Sequence, residues 1–202
     1  MVGIMREGSV MGQKKLKLQK VLKVQEVQEV KELNIDLGCG KSKQAGYIGV
    51  DRIKFDGVDI VMDLSKDVWP WEDNSVDKAH SSHFVEHLDA TERVHFINEL
   101  YRVLKPKAQA SIIVPHWASC RAYGDLTHKW PPVSEMWFYY LSKDWREQNA
   151  PHNNALYRCD FEVTWGYGLQ QELMGRNEEY KAYAMKNYKE AVTDIIATFV
   201  KK

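Results

Sequence analysis

Three short apolar runs in the first third of the sequence each end in a residue able to bind a polar ligand. Leu33-Asn34-Ile35-Asp36-Leu37 runs into Gly38-Cys39-Gly40, Tyr47-Ile48-Gly49-Val50 ends at Asp51, and Val58-Asp59-Ile60-Val61-Met62 ends at Asp63. Glycine lets a backbone come close to a ligand where a Cβ would clash. A carboxylate accepts hydrogen bonds from hydroxyl and amino groups. Two phosphate chemistries fit this pattern poorly. Gly40-Lys41-Ser42 supplies the end of a phosphate loop, but the glycine that should stand five positions before Gly40 is Ile35. A dinucleotide fingerprint would need its third glycine at Lys43, and its acidic partner would follow the loop by about 20 residues, later than Asp51.

A third chemistry uses all of these residues. S-adenosylmethionine presents an amino-acid portion, a ribose and an adenine. Asp36 can organise the site near the ammonium, Asp51 can accept both ribose hydroxyls, and Asp63 can accept from the adenine amino group, while Gly38 and Gly40 let the backbone approach.

The histidines offer a second set of chemistry. His83-Phe84-Val85-Glu86-His87 spells H-x-x-E-H, an inverted zinc-protease pattern in which two histidines share a helix face. The sequence specifies no third ligand, so no metal is assigned, and Glu86 and His87 are read as hydrogen-bonding groups that fix a loop. His116 closes a further apolar run, and Asp125 and His128 follow it. Convergence of His83, His116 and His128 at one sheet edge would give a general base near neutral pKa, with Asp125 orienting it. No further residue supports a metal on His116, Asp125 and His128.

These residues need elements to position them. Besides the three runs, Val76–Ser82 and Ser111–Val114 read as strands, and Asp89–Leu104 between them reads as an amphipathic helix. Val94, Ile97, Tyr101 and Leu104 share its apolar face, and Asp89 with Glu92 can form a capping box. Strands alternating with helices predict a mostly parallel, doubly wound α/β sheet whose ligand lies at the carboxyl ends of the strands. Only nine residues, Gly38–Gly46, join the first two strands, so that crossover is abbreviated. Residues 1–32 read as a lead-in segment and 33–202 as a single domain. A long helix is expected from about Asn177 to Val200, its stripe of Tyr180, Tyr183, Ala184, Tyr188, Ile195 and Phe199 packing on the core or forming a homodimer contact.

Composition narrows the function. The 202 residues carry 28 Lys+Arg and 28 Asp+Glu, so bulk positive charge for nucleic acid is absent. No apolar run approaches the roughly 18 residues of a membrane span. Cys39, Cys120 and Cys159 form no Cys-x-x-Cys pair, which fits a reduced, cytoplasmic protein. Residues 116–167 hold 12 of the 23 aromatics, an aromatic insertion suited either to walling an acceptor pocket or to covering the core.

The ordered motifs resemble those of class I S-adenosylmethionine-dependent methyltransferases, particularly small bacterial and phage-type relatives. They are LNIDLGCG (33–40), GYIGVD (46–51), VDIVMDL (58–64), WPWEDNSVD (69–77), SSHFVEHL (81–88) and ELYRVLKP (99–106). The resemblance implies a Rossmann-like seven-stranded sheet and S-adenosylmethionine as cofactor. It places the cofactor against Asp36, Gly38, Gly40, Asp51 and Asp63, with their neighbours Leu37, Cys39, Arg52 and Leu64, and puts Ser82 and His83 beside the methyl group. Lys107-Ala108 replaces the family's usual glycine pair, and Asp125-Leu126-Thr127-His128 is a variant of the D-P-T-H element of the small relatives. Methyl transfer to a small-molecule acceptor follows, the alternative being a non-catalytic S-adenosylmethionine-binding scaffold. The D/N-P-P-Y element of DNA-base methyltransferases is absent.

Overall fold

The structure, a computed structural model, describes residues 32–202. The expected lead-in of residues 1–32 lies outside the described residues save for its last position. Seven strands form one sheet: β1 (Asn34–Leu37), β2 (Ile48–Asp51), β3 (Ile60–Val61), β4 (Val76–Ser82), β5 (Leu104–Pro115), β6 (Phe161–Leu169) and β7 (Val192–Lys201). Their order is β3-β2-β1-β4-β5-β7-β6, with β7 antiparallel to both neighbours and the other pairings parallel. Chain order reverses direction across the sheet between β1 and β4, the kind of switch point at which such sheets open a ligand crevice.

β1 and β2 pair in parallel register, Ile35 opposite Ile48, with no helix between them. The abbreviated crossover closes because Gly38, Gly40 and Gly46 all take positive φ, which packs the turns tightly. Ile35, Leu37 and Val50 are fully buried, as expected of strands covered on both faces.

Helix α1 (Ala90–Val103) carries the expected capping box. Asp89 accepts from the Thr91 and Glu92 N–H groups, and the Glu92 carboxylate accepts from Asp89 N–H. Its buried face is Arg93, Phe96, Ile97, Leu100 and Val103, about one residue round from the expected stripe. Val94 and Tyr101 are only partly covered, and Leu104 already belongs to β5, because Phe96 and Leu100 offer more apolar surface to the sheet.

Lys107 takes φ +67 at the position where a glycine pair was expected, so a lysine adopts the left-handed conformation that the turn demands.

The expected C-terminal helix is the main departure. Only α4 (Glu178–Asn187) is helical, following the short helices α2 (Glu135–Tyr139) and α3 (Lys143–Asn149), and Val192–Lys201 is strand β7. The apolar residues of 191–200 suit both periods. The β-branched run Val192-Thr193, Ile195-Ile196, Thr198 and Val200 favours a strand. Ile195 and Phe199 are fully buried in the sheet core, so a dimer contact through one long helix has no such helix to use. Lys201 is buried, and its ammonium donates to Asn74 Oδ1 and to the carbonyls of Tyr101 and Leu104. This holds the end of β7 against the end of α1.

Candidate cofactor and acceptor cavities

A cavity of about 510 Å³ opens at the carboxyl ends of β1, β2 and β4. Of the residues nominated for a cofactor, Gly38, Gly40, Asp51, Arg52, Asp63, Leu64 and His83 line it, whereas Asp36, Leu37, Cys39 and Ser82 do not.

Gly38 and Cys39 both donate backbone N–H to the Val50 carbonyl, at 2.8 and 3.1 Å, so the loop is fastened to β2. Gly38 has φ +72, and a Cβ there would lie 2.4 Å from the Phe84 ring; both its conformation and its packing require glycine. Asp51 is oriented by its own neighbours. Its Oδ2 accepts from Gly40 N–H at 3.0 Å and its Oδ1 from Ile53 N–H at 2.9 Å. Each oxygen keeps a further lone pair for a ligand hydroxyl. Asp63 Oδ1 accepts from the Ser65 hydroxyl at 2.6 Å and the Ser65 N–H at 3.0 Å. The Ser65 hydroxyl, against the upward push of burial, holds the Asp63 carboxyl below its usual range.

The residues that miss the cavity support it from behind. Asp36 is buried; its Oδ2 accepts from Gln44 N–H at 2.7 Å and its Oδ1 lies 2.8 Å from His80 Nδ1, which braces the abbreviated crossover. Leu37 is in the core and its carbonyl accepts from Ser81 Oγ. Burial pushes the Cys39 thiol up to about 11, so it stays protonated at neutral pH. Ser82 pairs with Ile113 at the end of β4.

The histidines do not converge. His83 lines the first cavity in a left-handed conformation, φ +53, rather than on a helix face shared with His87. Its Nδ1 lies 3.3 Å from Glu86 Oε1 and its Nε2 lies 3.8 Å from Asp194 Oδ1. The Glu86 contact, opposed by burial, raises the His83 pKa. His116 instead lines a second cavity, of about 720 Å³. Its Nδ1 accepts from Ala118 N–H at 3.1 Å, so Nε2 carries the proton and donates to Glu135 Oε1 at 3.2 Å. Tyr167 donates to the same oxygen at 2.9 Å, and Trp117 to Glu135 Oε2 at 3.0 Å. Burial pushes the Glu135 carboxyl up, but the bonds from His116 and Tyr167 outweigh it and hold it at about 2. His128 packs its ring on His87, centroids 4.6 Å apart. The Asp125 carboxylate bonds to none of the three nominated histidines, although its carbonyl accepts from His128 N–H at 3.1 Å: its Oδ1 takes the Thr127 hydroxyl at 2.8 Å, and that hydroxyl accepts from His87 Nδ1 at 2.9 Å.

The aromatic insertion divides between its two expected roles. Phe138 packs on Trp165 and on Phe199, and Phe161 packs on Phe199 in the core, whereas Trp117, Tyr123 and Tyr167 wall the second cavity. Glu135 was missed by sequence reasoning. It stands 19 residues from His116 and 32 from Tyr167, and no local pattern joins them.

Part of the sequence matches a known family, and the fold has a counterpart among solved structures. Residues 35–112 match the family described as a methyltransferase domain. No curated protein sequence matches the chain. Among solved structures, a SAM-dependent methyltransferase from Archaeoglobus fulgidus aligns with a TM-score of 0.60 at 21% identity, over 93% of this chain and 94% of that one. The YcgJ protein of Bacillus subtilis aligns with a TM-score of 0.49 at 14% identity, over 93% and 99%. Phosphoethanolamine N-methyltransferase 2 of Haemonchus contortus, in complex with S-adenosyl-L-methionine, aligns with a TM-score of 0.45 at 15% identity, over 92% and 52%.

Proposed function

We propose that the chain, whose residues 35–112 match a methyltransferase-domain family, is a class I S-adenosylmethionine-dependent methyltransferase that transfers the methyl group to a small-molecule acceptor, bound on the side of the second cavity. The observation that carries the cofactor end is the cavity wall itself. Gly38 and Gly40 form a cradle, no atom of the described residues lies within 4 Å of where a Cβ on Gly40 would stand, and two carboxylates, Asp51 and Asp63, each face the cavity with unused acceptor capacity. This donor and acceptor set fits S-adenosylmethionine, and the volume of about 510 Å³ falls within the roughly 300–1,000 Å³ of small-ligand sites.

When bound, S-adenosylmethionine supplies an electrophilic methyl on a sulfonium. Asp51 would hold the ribose hydroxyls, preset by Gly40 and Ile53, and Asp63 the adenine amino group. Asp36 contributes through the loop it braces. His83 is the nominated histidine on this wall, and we assign it to the acceptor side. In-line displacement at that methyl would need the acceptor held in line with the sulfur–carbon bond. The chain's part is therefore chiefly alignment. The second cavity offers aromatic walls and the Glu135 carboxylate, which suit a small acceptor with hydrogen-bond donors.

Calorimetry with S-adenosylmethionine and its demethylated product tests the cofactor end. Binding in the micromolar range is expected, and Asp51→Ala is expected to weaken it on the order of 100-fold, the loss of two hydrogen bonds to a charged group. An unchanged dissociation constant in that variant would sink the assignment. Labelled methyl transfer into fractionated small-molecule extract tests the acceptor end. Label appearing only in protein or nucleic acid overturns the small-molecule reading, and binding without any labelled product favours a scaffold.

A further inference from the structure

Glu86, His87 and His128 come together beside the first cavity, and their ligand-capable atoms all lie within 4.8 Å of one another. Only part of the H-x-x-E-H pattern takes part: His83 stays outside the cluster, Glu86 and His87 enter it, and the fold adds His128, 41 residues beyond His87. We propose that these three residues bind a divalent transition-metal ion of the zinc class.

Three observations support this site. First, Glu86 is only 3% exposed, and neither of its carboxylate oxygens has a geometrically aligned hydrogen-bond partner among the described residues. The positive group to be considered beside it is Arg93, which spends its N–H groups on the carbonyls of Val85, Pro131 and Lys129, none on Glu86. His83 Nδ1 makes an ion-pair contact of 3.3 Å with Glu86 Oε1 alone, which leaves Oε2 with no partner among the described residues. A buried carboxylate left in this state is costly, and a cation in its place removes that cost.

Second, the tautomers of both imidazoles are set from outside. The Thr127 hydroxyl gives its proton to Asp125, so it accepts from His87 Nδ1–H at 2.9 Å. His128 Nδ1 lies 3.1 Å from the Ala122 carbonyl, which only accepts. Both rings therefore carry the proton on Nδ1 and leave the Nε2 lone pair uncommitted. A carboxylate or carbonyl reached through the far ring nitrogen is the usual support of a metal-bound histidine. Asp125 acquires a role here that it lacks toward His83, His116 or His128.

Third, the donor set has a defined preference. Two neutral imidazoles and one carboxylate suit zinc and its neighbours rather than calcium or magnesium. Ligand atoms around a tetrahedral zinc lie roughly 3.4 Å apart, so small side-chain rotations close the site. Three protein ligands leave at least one position for water or a ligand oxygen. His87 and Thr127 also line the first cavity, so the site adjoins the space where the methyl group is delivered. The proposal does not depend on which acceptor is used.

The test is a cobalt(II) titration of full-length protein after dialysis against a chelator. One equivalent is expected to bind in the micromolar range or tighter, with ligand-field absorption bands and no thiolate charge-transfer band. Glu86→Gln and His128→Ala should each weaken binding at least tenfold while retaining S-adenosylmethionine binding, which reports an intact fold. Asp125→Ala should weaken it about tenfold through His87, and Cys120→Ser should leave it unchanged. In wild-type protein, zinc should shift the Nε2 ¹⁵N resonances of His87 and His128 but not those of His95 and His152. The proposal is overturned if no saturable uptake occurs, if Cys120→Ser abolishes uptake, or if those two resonances do not move, whatever the variants do.

Discussion

The two cavities of this chain are built by opposite means. The wall of the first comes from residues a few positions from one another at strand ends, and its carboxylates are oriented by backbone N–H groups of the same loops, Gly40 and Ile53 on Asp51 and Ser65 on Asp63. The second is lined by Glu135, whose partners His116 and Trp117 come from the loop after β5 and Tyr167 from β6. A backbone-oriented site can be kept while surrounding side chains change, since the orienting groups belong to every residue type. A side-chain-oriented site changes with any of its members. The first cavity is thus set chiefly by loop backbone, the second by side chains drawn from distant segments.

The largest expected effect tests the first half of the contrast. Gly38→Ala forces a side chain into the left-handed region and against Phe84, at 2.4 Å, and should cost about 3 kcal/mol of stability in urea unfolding. A loss below about 1 kcal/mol would show that the loop yields and is not a fixed cradle. The next test falls on the second cavity. The Glu135 carboxyl lies at about 2 in the folded chain against an ordinary 4.5. A depressed carboxyl stabilises the fold above its unfolded value, and the contribution fades as pH falls from about 4.5 toward 2. Glu135→Gln should therefore lower stability at pH 7 on the order of 2 kcal/mol, with the gap to wild type closing near pH 2–3, while S-adenosylmethionine affinity stays within about twofold. Loss of cofactor affinity in this variant would join the two cavities into one unit. The smallest effect calibrates both. Lys107→Gly touches neither cavity and relieves a left-handed lysine, φ +67, so it should raise stability by about 1 kcal/mol with unchanged cofactor binding.

The same contrast explains what could be read from the amino-acid sequence. Strands β1, β2 and β4, the capped helix α1 and the cavity-lining Gly38, Asp51 and Asp63 follow from local patterns, because strand alternation, capping and strand-end position all operate over a few residues. Asp36 shows the limit of such reading: its place at a strand end is plain, but its burial under Gln44 and His80 depends on the path of the crossover. Glu135, and the meeting of Glu86 and His87 with His128, depend on loops crossing between distant segments. Strand β7 was read as helix because the apolar positions of 191–200 satisfy both periods, and only its neighbours β5 and β6 decide between them.

Placing β7 between β5 and β6 has a consequence for how the chain is made. During synthesis both neighbours leave the ribosome before the strand that separates them. Until β7 follows, β5 presents an open edge on that side and β6 has no strand to pair with. The two could pair directly with each other, a parallel arrangement that would have to be undone. The growing chain thus passes through a stage at which the strands around the first cavity are already laid down while the side of the second awaits its central piece, and there a chaperone would have the most to protect.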